Sequence, residues 1–401
     1  MTAVAADLVA RSGDLKRDLV EFGKHPRFAK ALRGMLRGAG HRDIVSGDED
    51  ELINTLDFFV LQHRLAGGLR VVDHFVAAHP DLPEQERQML LGWRDVVEGL
   101  FEVRGRDGSA LQLFNLVDEL TYQVHSNTGT AVFAQMPQGS FVVTRLVPVG
   151  DEWLFSGSQR VLPASARREI ARLAAEFSTQ RPALVFRNPE KLRGGWEIHR
   201  KYRARFIEFF GADLVVLPGA QVAEQMRAYW EHCIRRITDE RGDRAGGPMP
   251  VAPDLQLPPN LIEAATVGVI YDEVDGLNFY AEFGLVAEAF ANPELIKGPY
   301  RRRVRSYLND DSVSPLPFRR LAEQDTAKAS RLFQLLLKRP SFSWEADGEA
   351  LLRRRKPAFF DRPALPGITP LGGIALEHYH SATSEGSEQL PGRIRHLRAP
   401  G

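Results

Sequence analysis

Apolar residues recur at helical spacing through the first 95 residues of the chain. In "SGDEDELINTLDFFVLQHRL", Ser46 and Glu49 have the spacing of a capping box, which is typical of the start of a helix. The positions that follow recur at helical spacing and predict one buried helical face, which would consist of Leu52, Leu56, Phe59, Val60 and His63. Residues 1–95 are therefore predicted to form a helical N-terminal domain.

The hydrophobic period changes between residues 96 and 165. Short apolar and aromatic runs such as "GLFEVRG", "LTYQVHS" and "GSFVVTRLVPV" are separated by Gly, Asp, Asn and Pro at close intervals. This pattern indicates short strands joined by tight turns. Residues 96–165 are predicted to form a small antiparallel β-barrel of SH3-like or OB-like type.

The remainder of the chain mixes helical patterns with a few strands. Residues 166–237 are predicted to be an α/β segment, and residues 238–260, rich in Pro, Gly and charge, a linker or long loop. Residues 261–358 are predicted to be a hairpin followed by a helical domain. Residues 359–401 lack periodicity, which predicts an extended or disordered tail. The predicted fold class is α+β, with a short sheet near residues 212–281 in the C-terminal domain.

The stretch "IYDEVDGLNFYAEFG" concentrates acidic residues in the predicted hairpin. Read as a calcium loop, it fails at the first ligand position, which is Tyr271 and supplies no carboxylate. Asp275 and Gly276 between apolar runs predict a tight turn instead. Asp272, Glu273 and Asp275 stay candidates for a Mg²⁺ or Mn²⁺ site, because hard cations prefer oxygen ligands.

Charge and cysteine content exclude several classes of site. The 401 residues carry no formal net charge, but residues 41–120 hold 7 Arg and Lys against 16 Asp and Glu, and residues 301–360 hold 14 against 7. The single cysteine, Cys233, allows neither an internal disulfide nor a thiolate metal cluster. No signal peptide or membrane span is evident in the sequence, so we expect a cytoplasmic protein without a membrane partner. No cofactor is predicted.

Arginine-rich runs are the candidates for nucleic-acid binding. Runs such as "YRRRVR" and "LLRRRKP" combine arginine, which pairs with phosphate, with aromatic residues that can stack on bases. The alternative is that these runs are solvated or pair with the acidic N-terminal region. The candidate nucleic-acid-binding residues are Arg301, Arg302, Arg303, Arg305, Arg353, Arg354, Arg355 and Lys356.

Several long phrases within residues 50–357, among them "LDFFVLQHRLAGGLRVVDHFV" and "GVIYDEVDGLNFYAEFG", resemble a group of bacterial proteins that have no established activity. Some members of that group carry a SEC-C type cysteine and histidine metal motif. One cysteine cannot supply that motif, so the resemblance implies a domain order and no metal.

The leading hypothesis is a non-enzymatic cytoplasmic binding protein associated with nucleic acid, RNA or DNA, or with a ribonucleoprotein. One alternative is a metal-dependent hydrolase or nuclease that uses Asp272, Glu273 and Asp275. The other is a structural protein-interaction module in which the acidic and basic regions pair.

Overall fold

The computed structural model describes residues 3–38, 48–241, 256–361 and 363–377. These residues fall into two compact units, and their fold is mixed α+β, as predicted. The first unit contains the described residues up to 188 together with residues 371–377. The second unit contains the described residues between 189 and 370.

The first unit begins with helices, as predicted. They are Ala3–Gly23 (α1), Ala29–Gly38 (α2), Asp48–Leu61 (α3), Val71–Ala78 (α4) and Glu84–Gly92 (α5). Their apolar faces meet in one core around Leu19, Phe59 and Trp93, all of which are buried. Ser46, the predicted cap of α3, lies outside the described residues.

A five-stranded sheet follows the helices. Its strands are Val97–Asp107 (β1), Ala110–Asn115 (β2), Thr121–His125 (β3), Phe141–Val149 (β4) and Glu152–Leu162 (β5). The strand order is β1-β2-β3-β5-β4, and β4 also pairs with β1, so the sheet closes on itself. The prediction of a purely antiparallel sheet is wrong for one pair, because β3 and β5 run parallel, with Val124 opposite Trp153.

A buried ion-pair network joins the first helices to this sheet. Asp57 of α3 accepts from Arg145 Nε of β4 at 2.8 Å and from Ser156 Oγ of β5 at 2.7 Å. Lys16 of α1 pairs with the same carboxylate. Burial alone would raise the pKa of Asp57, but Lys16 and Arg145 lower it to about 2.

The first unit is completed by helices Arg167–Gln180 (α6) and Pro182–Val185 (α7) and by the described end of the chain. Residues 373–377 are helical, and Ile374 and Ala375 are buried against α6 and the sheet. This helical segment was not anticipated by the prediction of an extended tail. The predicted tail beyond residue 377 and most of the predicted linker lie outside the described residues.

The second unit surrounds a three-stranded antiparallel sheet of order β6-β7-β8. The strands are Leu214–Leu217 (β6), Val267–Asp272 (β7) and Gly276–Ala281 (β8). One sheet face packs on helices Pro189–Phe210 (α8), Gly219–Arg241 (α9) and Pro259–Ile262 (α10). The other face, which includes Ile270 and Tyr280, packs on the helices that follow β8.

Those later helices carry the predicted basic residues. They are Phe283–Ala291 (α11), Gly298–Asn309 (α12), Leu316–Gln324 (α13), Thr326–Leu337 (α14) and Trp344–Arg355 (α15). Helix α14 begins at a side-chain cap. The Asp325 carboxylate accepts from Lys328 N at 2.9 Å and caps this helix. All five contribute to one core, which includes Phe318 and Phe333.

Candidate nucleic-acid interface

Helix α12 presents arginines to solvent because of its amphipathic pattern. Val304, Tyr307 and Leu308 point into the core of the second unit and are buried. Arg302 and Arg305 are exposed and three residues apart, so they are neighbours on the helix surface. Asn309, four residues after Arg305, extends this stripe to the end of the helix.

The end of α15 lies beside the end of α12. Arg355 Nη1 donates to Asn309 Oδ1 at 3.4 Å, which joins the two helix ends. Arg354, the residue before Arg355, is also exposed. The structure thus brings the ends of the two predicted arginine runs together in the second unit. We call Arg302, Arg305, Arg354 and Arg355 the arginine surface.

The members of this surface lack acidic partners. Within the described residues, no carboxylate forms an ion pair with any of these four guanidinium groups. Exposed arginines on neighbouring helices differ: Arg319 pairs with Glu349 at 2.9 Å, and Arg331 pairs with Glu294 at 2.8 Å. The arginine surface is therefore a local excess of positive charge.

Helix stability explains only part of this arrangement. Arg354 and Arg355 are in the last turn of α15, where the negative end of the helix dipole favours cations. Arg302 and Arg305 lie in the middle of α12, outside its first and last turns. The helix dipole acts mainly on those end turns, so it does not explain arginines at these two positions.

Four of the predicted residues do not belong to the surface. Arg303 is only partly exposed and lies about 100° around the helix axis from Arg302. Lys356 is 1% exposed and its Nζ donates to the Asp310 carbonyl oxygen at 2.8 Å, which corrects its assignment as a nucleic-acid contact. Arg301 is partly buried and donates to the Leu336 carbonyl oxygen at 3.3 Å. Arg353 is exposed, but it pairs with Glu349 at 3.6 Å and covers the Phe360 ring.

The aromatic residues of the predicted runs are engaged within the protein. Tyr307 is buried and its hydroxyl donates to the Ala281 carbonyl oxygen at 2.6 Å. The hydroxyl of Tyr300 donates to Glu288 at 2.7 Å. Phe318, beside the arginines of α13, is fully buried. These rings therefore give no stacking platform at the arginine surface, and phosphate contacts are what its guanidinium groups can make.

The acidic hairpin is built differently from the prediction. Residues 273–275 connect Asp272 to Gly276, which are paired, and Gly276 has a φ of +74°. The turn is thus three residues long, not the predicted Asp-Gly pair. Asp272 Oδ1 accepts from the backbone N of Val274 at 2.9 Å and of Asp275 at 3.0 Å. This carboxylate stabilises the turn.

The other hairpin acids do not converge on a shared point. Glu273 is largely exposed and lies 3.5 Å from Arg203 Nη1. Across the ranges that the structure describes, no group of three or more His, Cys, Asp and Glu side chains is arranged to hold a metal ion. In the hairpin, the Asp272 carboxylate therefore stabilises the turn and the Glu273 carboxylate forms an ion pair. No third ligating side chain from another described segment joins them to form a metal site.

Sequence reasoning missed Asn309, whose side chain joins the two arginine helices. The spacing of Arg302, Arg305 and Asn309 along one face of α12 was the available signal. The contact with α15 could not be read from spacing, because it joins residues 46 positions apart.

Comparison of the chain with protein-family models, with curated proteins and with solved structures finds no match. The resemblance to the bacterial group therefore stays a prediction. None of the described helices combines the length and the apolar character of a membrane-spanning helix.

Proposed function

We propose that this chain is a non-enzymatic binding protein that contacts the phosphate backbone of nucleic acid through the arginine surface. The observation that carries the proposal is the cluster of exposed guanidinium groups without carboxylate partners on α12 and α15. Guanidinium groups pair bidentately with phosphate and release counterions when they bind a polyanion.

The neighbouring side chains favour double-stranded nucleic acid and sequence-independent binding. Phosphate contacts position a protein on a duplex without reading its sequence. Reading single strands requires exposed rings, whereas Tyr307 and Phe318 are buried. We expect weak binding, with a Kd of about 10⁻⁴ to 10⁻⁶ M at physiological salt.

We further propose that the closed sheet of the first unit is a barrel of OB type rather than SH3 type. Its order β1-β2-β3-β5-β4 and the parallel β3–β5 pair support an OB-like Greek key. Only two residues connect β1 to β2 and β4 to β5, which leaves little loop to enclose a nucleic-acid strand. The arginine surface, not this sheet, is the proposed contact.

Filter binding of a labelled duplex of about 20 base pairs at low and at physiological salt tests the proposal. The wild-type chain should bind at low salt and lose affinity as salt rises. The double variant Arg302→Gln with Arg305→Gln should bind more weakly. Arg331→Gln is the matched control, because Arg331 is also exposed but pairs with Glu294. Absence of binding at low salt, or equal loss in the control, would overturn the proposal.

A further inference from the structure

A short irregular segment of the second unit, residues 363–370, lies against the hairpin between β7 and β8. We call these residues the strap. The sequence of the strap, "PALPGITP", contains three prolines, which have no backbone N–H to donate. Pro366 is buried, and a Cβ added to Gly276 would meet Gly367 Cα at 3.5 Å. The strap therefore packs directly on the hairpin turn, with few backbone donors to hold it there.

One side chain, His199 of α8, joins the strap to the hairpin. The residue is 0% exposed. Gly367 N donates to His199 Nδ1 at 3.1 Å, and His199 Nε2 donates to the Asp272 carbonyl oxygen at 3.0 Å. A backbone N–H can only donate and a carbonyl oxygen can only accept, so the proton of this imidazole is on Nε2 and Nδ1 has a free lone pair. The strap is thus bound to the neutral form of the ring.

Protonation would reverse the role of Nδ1. An imidazolium ion donates from both ring nitrogens, so the new N–H at Nδ1 would face the N–H of Gly367. The hydrogen bond from Nε2 to the Asp272 carbonyl oxygen is compatible with either form of the ring. Only the bond to the strap is lost, and a contact between two donors replaces it.

The charged groups around His199 do not compensate a positive charge on its ring. Within the described residues, no carboxylate forms an ion pair with His199. Arg203, one turn further along α8, is a cation and donates to the Tyr271 carbonyl oxygen at 3.0 Å. The titratable residues of the hairpin are Tyr271, Asp272, Glu273 and Asp275.

The hairpin groups nearest to the ring are engaged elsewhere. Tyr271 meets the imidazole edge to face, with centroids 5.5 Å apart. The Asp272 carboxylate accepts from two backbone N–H groups of the turn, and Glu273 pairs with Arg203 at 3.5 Å. The strap itself has no titratable side chain. A charged imidazole in this buried position is therefore unfavourable.

We propose that His199 is a proton-sensitive latch, whose neutral imidazole holds the strap on the hairpin and whose protonation releases it. The released form binds one proton more than the latched form, so release becomes more favourable as pH falls. The strap leads directly into residues 371–377, which belong to the first unit. Release therefore frees the chain that connects this segment to the hairpin.

Hydrogen exchange of the peptide that contains the strap, measured on the full chain at about pH 7.5 and about pH 5, tests the proposal. Protection is expressed relative to the intrinsic exchange rate at each pH. The neutral fraction of a solvent-exposed imidazole falls about thirtyfold over this interval. The protection of the Gly367 amide should therefore fall by about tenfold to thirtyfold at the lower pH. Unchanged protection would overturn the proposal.

The same spectra separate release of the strap from unfolding. Peptides from β7 and β8 should keep their protection at the lower pH, because the sheet does not depend on the strap for its backbone hydrogen bonds. An equal loss of protection in the strap and in these strands would show that the second unit unfolds, and would overturn the latch.

Two variants identify the titrating group. The amide of His199→Gln can donate to the Asp272 carbonyl oxygen and accept from Gly367 N, but it does not titrate. Protection of the strap in this variant should be the same at both pH values. His232→Gln is the matched control, because His232 is the only other histidine between residues 189 and 370, and this variant should keep the wild-type pH dependence. A pH-dependent strap in His199→Gln, or a pH-independent one in His232→Gln, would contradict the assignment.

Discussion

Replacing Lys356 by methionine is expected to stabilise the second unit below pH 8. Lys356 is buried, and desolvation lowers the pKa of its ammonium group to about 8, although Asp310 and Asp311 act in the opposite direction. Folding below pH 8 therefore places a charged ammonium group in a poorly solvated position. Methionine keeps a similar length and removes the charge.

The size and sign of the effect follow from linkage between protonation and folding. Between pH 8 and the ordinary lysine value of 10.5, the unfolded chain binds more protons than the folded chain. The unfolding free energy of the wild type therefore rises over this interval, by about 3 kcal/mol. Losing the hydrogen bond to the Asp310 carbonyl oxygen costs the variant about 1 kcal/mol at every pH.

The variant should therefore be more stable than the wild type by about 2 kcal/mol at pH 7 and less stable by about 1 kcal/mol near pH 10.5. Thermal unfolding of both proteins from pH 6.5 to pH 10.5 measures this difference. Lys328→Met is the control, since Lys328 is exposed and pairs with Asp325, and its effect should not depend on pH in this way. A wild type that is more stable at pH 7, or a difference that is constant with pH, would refute the reasoning.

Two other substitutions test the packing of each unit. Asp57→Asn should destabilise the first unit by about 3–5 kcal/mol in thermal or urea unfolding, because Lys16 and Arg145 lose their buried counter-charge. Because the pKa of Asp57 is lowered to about 2, the wild type should lose this stabilisation as pH falls from about 4 toward 2. A loss under 1 kcal/mol would contradict the role of the network. Gly276→Ala should cost about 1–2 kcal/mol, because Gly276 has a φ of +74°. Gly194 lies within α8 and has open space around it, so Gly194→Ala should instead raise stability by up to about 1 kcal/mol. Equal changes in the unfolding free energy of the two glycine variants would refute the strain argument.

Local patterns predicted the N-terminal helices and the hairpin strands, because helical periodicity and apolar alternation depend on residues close in sequence. The turn of the hairpin was predicted at Asp275 and Gly276, but the Asp272 side chain accepts two backbone N–H groups and lengthens the turn to three residues. The turn propensity of the Asp-Gly pair gives no information about hydrogen bonds that the Asp272 side chain accepts.

Contacts between residues far apart in the chain could not be predicted from local sequence patterns. The parallel β3–β5 pair and the Asp57 network join segments far apart in the chain, the latter across 41 and 88 residues. The run "RRRK", residues 353–356, shows that the burial of adjacent residues is also hard to predict from sequence. Arg355 ends α15, and Lys356 leaves the helix with its side chain buried, so four like charges in sequence divide between surface and core.

The salt dependence of duplex binding tests the proposed arginine surface most directly. If all four arginines contact phosphates, log K should fall with log salt at a slope of about −3.6 for duplex DNA. Arg302→Gln with Arg305→Gln should reduce the slope to about −1.8, and Arg331→Gln should leave it unchanged. A slope that the double variant does not alter, or that Arg331→Gln alters equally, would show that binding does not occur at this surface.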